Sequence, residues 1–147
     1  MKKIYLQIFL VLSLAGCSSS PRATDQPIVM NENGPNVLNA RAEPELVQLN
    51  RDLQPEEPGE IVADVKDFKN PVTSVQLKFQ NVPVQVPMEN IGGTTWKGEL
   101  TPSQLHMLAV QGQTVVYKAN VIATDAAGLS AQNSQALDLL VSTPKTG

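Results

Sequence analysis

Thr114-Val115-Val116-Tyr117-Lys118-Ala119-Asn120-Val121-Ile122-Ala123-Thr124, followed by Asp125-Ala126-Ala127-Gly128, decides the fold class of this 147-residue chain. β-Branched and aromatic residues dominate the run. Alternation puts Val115, Tyr117, Ala119, Val121 and Ala123 on one face and Val116, Lys118, Asn120, Ile122 and Thr124 on the other. A period of two belongs to a strand, because successive side chains leave an extended backbone on opposite sides. The Asp and Gly that follow supply a turn, so the chain doubles back, and residues 130–141 read as the last strand.

Upstream, short runs of the same texture recur between Gly, Pro and Asn at intervals that suit an antiparallel β-domain. A first short strand is expected at 45–50. In Glu60–Lys66, Ile61, Ala63 and Val65 share one face. In 72–80, Val75, Leu77 and Phe79 point inward while Gln76, Lys78 and Gln80 point out, and Asp67-Phe68-Lys69-Asn70-Pro71 is the turn between the two. Residues 81–88 carry Pro83 and Pro87, which lack backbone donors, and so fit an edge strand that the prolines protect from edge-to-edge pairing. A strand at 94–100 follows the Ile91-Gly92-Gly93 turn with Trp96, Gly98 and Leu100 on alternate positions. Thr101-Pro102-Ser103-Gln104 then starts a helix. Threonine caps it, proline takes the first helical position and glutamine, three after the cap, closes a capping box; one or two turns run to about Ala109, and Gly112 lets the chain out.

The stretch from Val115 to Gly128, with Ile61-Val62-Ala63-Asp64-Val65-Lys66-Asp67, resembles the bacterial immunoglobulin-like and fibronectin type III-like modules of secreted proteins, over about residues 45 to 143. The resemblance implies an all-β fold: an immunoglobulin-like antiparallel β-sandwich of about seven strands with a short crossover helix. It also implies that Tyr117, two residues before the small inward Ala119, is a tyrosine-corner residue whose hydroxyl bonds back to the backbone near the crossover. The chain departs from antibody-type domains in lacking both their cysteines and a tryptophan on the third strand. Such sandwiches host many unrelated roles, so the fold carries no function with it.

The N-terminus assigns an address instead. Met1-Lys2-Lys3, an apolar run from Ile4 to Leu14 and the small residues Ala15-Gly16 follow the basic, apolar, small-residue order of a secretory signal. The run is interrupted by Gln7 and Ser13 and is too short to cross a bilayer, which takes about 20 apolar residues. Leu14-Ala15-Gly16-Cys17 resembles the lipobox of bacterial lipoprotein precursors, which implies that Cys17 becomes the first mature residue and carries a thioether diacylglycerol and an amide-linked acyl chain such as palmitate. Several acyl chains, at about 0.8 kcal/mol per buried CH₂, anchor practically permanently. Ser18, where aspartate favours inner-membrane retention in Gram-negative lipoproteins, implies the outer membrane at its periplasmic face; in another host the address is the outer face of the cytoplasmic membrane.

The expected divisions are residues 1–16 as signal peptide, 17–45 as lipidated N-terminus and disordered, flexible linker, 46–143 as the sandwich and 144–147 as a tail. The linker stretch, rich in Ser, Asn and Pro, has too few apolar residues to offset its ordering entropy. As a flexible tether it reaches about 30 Å root-mean-square and roughly 95 Å at full stretch. Cys17 is the only cysteine, so no disulfide supports the fold. The chain has 14 acidic and 11 basic residues, net charge −3, and loss of residues 1–16 takes away Lys2 and Lys3 but no acid. No basic patch for nucleic acid is present.

Catalytic constellations are missing. His106, the single histidine, sits beside Met107 and Leu108 in the expected helix and reads as structural; no nucleophile elbow, phosphate-cradling glycine loop or zinc-spaced set occurs. The expectation is a non-enzymatic protein with no cofactor beyond the covalent lipid on Cys17. It would sit on the membrane and bind or scaffold another envelope component, protein or glycan. The alternative is a calcium-dependent adhesion or stabilising module, with Asp64, Asp67 and Asp125 converging at one end as weak candidate ligands. Trp96 reads as core in so aromatic-poor a chain. The outward Val116 and Ile122 matter only if Val62 joins them in an apolar patch.

Overall fold

The computed structural model describes residues 29–145. They form an all-β fold with one short helix: β1 (Asn36–Glu43), β2 (Leu46–Gln48), β3 (Glu60–Lys66), β4 (Val72–Phe79), β5 (Gln85–Gly92), β6 (Thr95–Glu99), α1 (Pro102–Leu108), β7 (Thr114–Asp125), β8 (Ser130–Gln132) and β9 (Leu137–Ser142). Hydrogen-bonded neighbours follow the order β1-β3-β6-β5-β4-β7-β9-β2, with β8 paired to β7 beyond β9's reach. Every pairing is antiparallel except β2 with β9. The two ends of this path are joined by the chain itself, because β1 runs into β2 through Pro44 and Glu45, and β1 also lies against β7, β8 and β9. The arrangement is therefore barrel-like.

Alternation produces the core as the sequence predicts. Ile61, Ala63, Val65, Val75, Leu77, Phe79, Ala119, Val121 and Ala123 are all buried in one cluster. Leu100, Leu105 and Leu108 add the crossover helix to the same cluster, and Leu137, Leu139 and Val141 add the last strand. The helix starts as expected. Gln104 N–H donates to the Thr101 hydroxyl, and the Gln104 side-chain oxygen accepts from Thr101 N–H at 2.9 Å. Its amide nitrogen reaches further, donating to the Gln85 carbonyl at 2.8 Å, so one side chain caps α1 and fastens it to β5.

Three expectations are corrected. The stretch 17–45, read as linker, contains β1, which pairs with β3 from Asn36 against Lys66 to Glu43 against Glu60. The strand was hidden because its inward positions include the weakly apolar Ala40 and Ala42, and because a register shift between Leu38 and Arg41, with Asn39 at φ 50°, breaks the period. The Asn36 side chain fixes its start: it accepts from Asn31 N–H at 2.6 Å and donates to the Asn31 and Lys66 carbonyls. Second, the proline-bearing strand is not a simple edge. Residues 85–88 pair with β4 and residues 89–92 with β6, so β5 passes from one set of strands to the other. Each half has a partner on one side only, which is why Pro87, opposite Gln76, is tolerated without its N–H. Third, the single strand expected at 130–141 is two. Asn133 stands at the break, and its buried side-chain oxygen accepts from Val121 N–H at 2.8 Å in place of a ladder carbonyl.

Two contacts knit these parts. Tyr117 sits edge-on to Phe79, ring centroids 6.1 Å apart, and its hydroxyl donates to the Leu108 carbonyl at 2.6 Å, tying β7 to the end of α1. Burial pushes that phenol's pKa up. Where β5 changes partners, β6 presses against it at Gly98; a Cβ there would stand 3.0 Å from the Pro87 carbonyl oxygen and from Met88 Cγ. We predict that Tyr117→Phe costs about 1–2 kcal/mol, because it removes one partly buried hydrogen bond and leaves a carbonyl short of a partner. Gly98→Ala should cost about 1–3 kcal/mol through overpacking. Urea denaturation checks both: the midpoints fall at unchanged slope, and an unmoved midpoint for either variant contradicts the role given to that contact.

Candidate functional site

The strands give the molecule two ends. At the first, which receives the N-terminal chain, lie the start of β1, the 67–71 turn, the β5–β6 turn and the β7–β8 turn, in register through Asn36 with Lys66, Val72 with Asp125 and Gly92 with Thr95. Lys69 Nζ donates to the Asn33 side chain, so the incoming segment lies against this end. At the second end, Gln48 and Thr114 both pair with Ser142, and the β2–β3 connection, the α1–β7 connection and the C-terminal residues meet there.

The meeting of those three segments forms a pocket of about 420 Å³, between Asn50, Arg51, Leu53, Thr143, Pro144 and Lys145. Its walls are pinned by hydrogen bonds that cross from segment to segment. Leu49 N–H donates to the Ser142 carbonyl at 2.8 Å, and Thr143 N–H to the Gln113 carbonyl at 3.0 Å. The Thr143 hydroxyl donates to the Val110 carbonyl at 2.6 Å. Gly112, at φ 71°, takes a conformation that side chains resist, and a Cβ there would stand 3.8 Å from Lys145 Cα. The β2–β3 connection is organised by Asn50, whose side-chain oxygen accepts from both Asp52 N–H and Gln54 N–H. Among the described residues its amide nitrogen has no acceptor, so it is a donor available at the pocket. Two cations, Arg51 and Lys145, line the same space with no carboxylate among the lining residues. Among the described residues neither is in an ion pair; the pairs present are Arg41 with Glu43, Lys97 with Glu60 and Lys118 with Asp138. Chemically, the pocket presents donors and positive charge around an apolar wall of Leu53 and Pro144.

The residues singled out from sequence are placed elsewhere. Cys17 lies outside the described residues. Asp67 and Asp125 do meet at the first end, but as turn-builders. Asp67 Oδ1 accepts from Lys69 N–H at 2.8 Å and Asn70 N–H at 2.9 Å. Asp125, which is buried, accepts from Leu129 N–H at 2.8 Å and from the Asn70 amide at 3.1 Å. Asp64 does not join them. It is held on the outer side of β3 by the Thr95 hydroxyl at 3.0 Å and the Asn39 amide at 3.1 Å, and among the described residues no three Asp, Glu, His or Cys side chains gather as metal ligands would. His106 is exposed on α1. Trp96 is half-buried and packs on the core at the first end.

Val62 is buried between β1 and β6 and does not join Val116 and Ile122 on β7. Val116 instead stands opposite Leu140, which stands opposite Leu46, in one row across β7, β9 and β2. The pocket residues themselves carried no signal in the sequence. Asn50 ends the strand expected at 45–50, Lys145 falls in the expected tail, and nothing local says that residues 51 and 145 line one pocket.

The backbone N–H of Asn70, then that of Lys69, holds the Asp67 carboxyl below the usual carboxylate range. A lowered folded-state pKa gives stability that is present above the unfolded value, about 4, and is lost as pH falls through the folded one. Asp67→Ala should therefore lower the melting temperature at pH 7 and flatten its fall on acidification below about pH 4. Parallel melting-temperature profiles for the two proteins across that range contradict this assignment. No protein-family model, curated protein or solved structure matches the chain.

Proposed function

We propose that this protein is a non-catalytic lipoprotein of the cell envelope, anchored through acyl chains on Cys17, whose β-domain binds or scaffolds another envelope component, protein or glycan. The carrying observation is the polarity of the fold: the N-terminal chain enters at one end and the pinned pocket lies at the other. An anchor upstream of Asn31 would hold the entry end toward the membrane and present the pocket outward. The residues from 18 to 30 span at most about 45 Å, enough to clear the headgroups.

The finer architecture we assign is an immunoglobulin-like sandwich. Its support lies in β1 and β2 serving opposite ends of the strand order, in β5 passing from β4 to β6, and in the Tyr117 hydroxyl bonding back to the crossover at Leu108. Ser18 favours the outer membrane in a Gram-negative cell, with the domain in the periplasm.

Expression in a Gram-negative host with radiolabelled palmitate tests the assignment. The unaltered chain should take up label, lose residues 1–16 and sediment with outer membranes, while Cys17→Ala should take up no label and keep the uncleaved N-terminal segment. An unaltered chain without label, or a Cys17→Ala chain that still takes it up, would sink the lipoprotein reading.

A further inference from the structure

The pocket at the second end has a chemistry that names a ligand class. Its two cations are drawn from distant parts of the chain, residues 51 and 145, in a protein that carries more acid than base overall. The Asn50 amide nitrogen, which has no acceptor among the described residues, adds a neutral donor beside them, while the side-chain oxygen accepts from two backbone N–H groups. Leu53 is half-buried and packs against the core, so its side chain forms an apolar wall of the pocket; Pro144 lines the same space. A volume of about 420 Å³ lies within the range of small-ligand pockets, about 300–1,000 Å³.

We propose that this pocket captures the free C-terminal carboxylate of a short apolar peptide segment. The carboxylate sits between the Arg51 guanidinium, the Lys145 ammonium and the Asn50 amide, and the last side chain lies on Leu53 and Pro144. A guanidinium and a carboxylate match in plane and spacing, and charge-assisted bonds of this kind are about twice as strong as neutral ones. The apolar wall is what favours a peptide end over a bare inorganic anion, since an ion without a stem leaves Leu53 and Pro144 unused. This deepens the binding role proposed above by giving it a site and a ligand. It does not need the lipid, so loss of anchoring and loss of ligand are separate results.

The test is a titration of the ¹⁵N-labelled chain from residue 17 onward, with Cys17→Ser, which contains the whole described fold. The probes are acetyl-Ala-Leu with a free carboxylate, acetyl-Ala-Leu amide, glucuronate and inorganic phosphate. The free acid should shift the amide signals of residues 50–53 and 143–145, and those shifts should weaken as salt rises. The amide should bind at least about tenfold more weakly, and Arg51→Gln and Lys145→Gln should each lose about tenfold for the acid. Both side chains are exposed, so the variants keep the fold, which their unshifted core signals verify. Lys78→Gln, an exposed lysine on β4 away from the pocket, should bind as the parent does. The proposal is overturned if the acid and the amide bind alike, if neither binds at millimolar concentration, or if glucuronate or phosphate binds more tightly than the peptide acid.

Discussion

Strand β7 is hydrogen-bonded along most of its length on both sides, to β4 on one and to β9 and then β8 on the other, and the rest of the fold is placed by that double pairing. Its inner face carries Ala119, Val121 and Ala123, all fully buried. The small alanines leave room for Phe79, Leu77 and Leu139 on the flanking strands, so the core is filled largely from the neighbours. Tyr117 then extends the same strand's influence to α1, through the bond from its hydroxyl to Leu108. Because α1 is also fastened to β5 through Gln104, the helix, the central strand and the strand that changes sheets form one hydrogen-bonded unit. No disulfide is available to do this work.

What the sequence made legible follows from where periodicity is clean. The alternation at 75–79 is uninterrupted and its face is buried, as are Ile61, Ala63 and Val65 and Ala119, Val121 and Ala123; Val115 and Tyr117 are half-buried, and Val62, expected on the outer face, is buried as well. The capping box at Thr101 was equally readable, since it depends only on residues three apart. The misses occur where a side chain stands in for backbone or the period slips. At β1, alanines and the Asn39 irregularity blur the pattern; at Asn133 an amide oxygen replaces a strand carbonyl, splitting one expected strand into two. The pocket was illegible for a different reason. Its lining depends on β2 running parallel to β9, which places Asn50 beside Thr143, and such a pairing of residues almost a hundred positions apart leaves no local trace.

The functional reading follows from the same geometry. The three aspartates that sequence proximity to turns brought forward divide between two tasks: Asp67 and Asp125 order their own turns with Asn70 between them, and Asp64 joins β1, β3 and β6 through Asn39 and Thr95. Their hydrogen bonds are those of structural carboxylates. Two cations, Arg51 and Lys145, line one pocket at the end away from the incoming chain, where hydrogen bonds between segments hold the walls in place. Walls pinned in this way need no backbone ordering on binding, so the ordering cost falls on the exposed Arg51 and Lys145 side chains.

That pinning is the central claim, and amide hydrogen exchange measures it without any ligand. The amides of Leu49 and Thr143, which bond across segments to Ser142 and Gln113, should exchange as slowly as the β7–β9 ladder amides. Exchange of those two amides as fast as that of the exposed loop residues would show that the pocket walls open independently of the core, and would contradict the account.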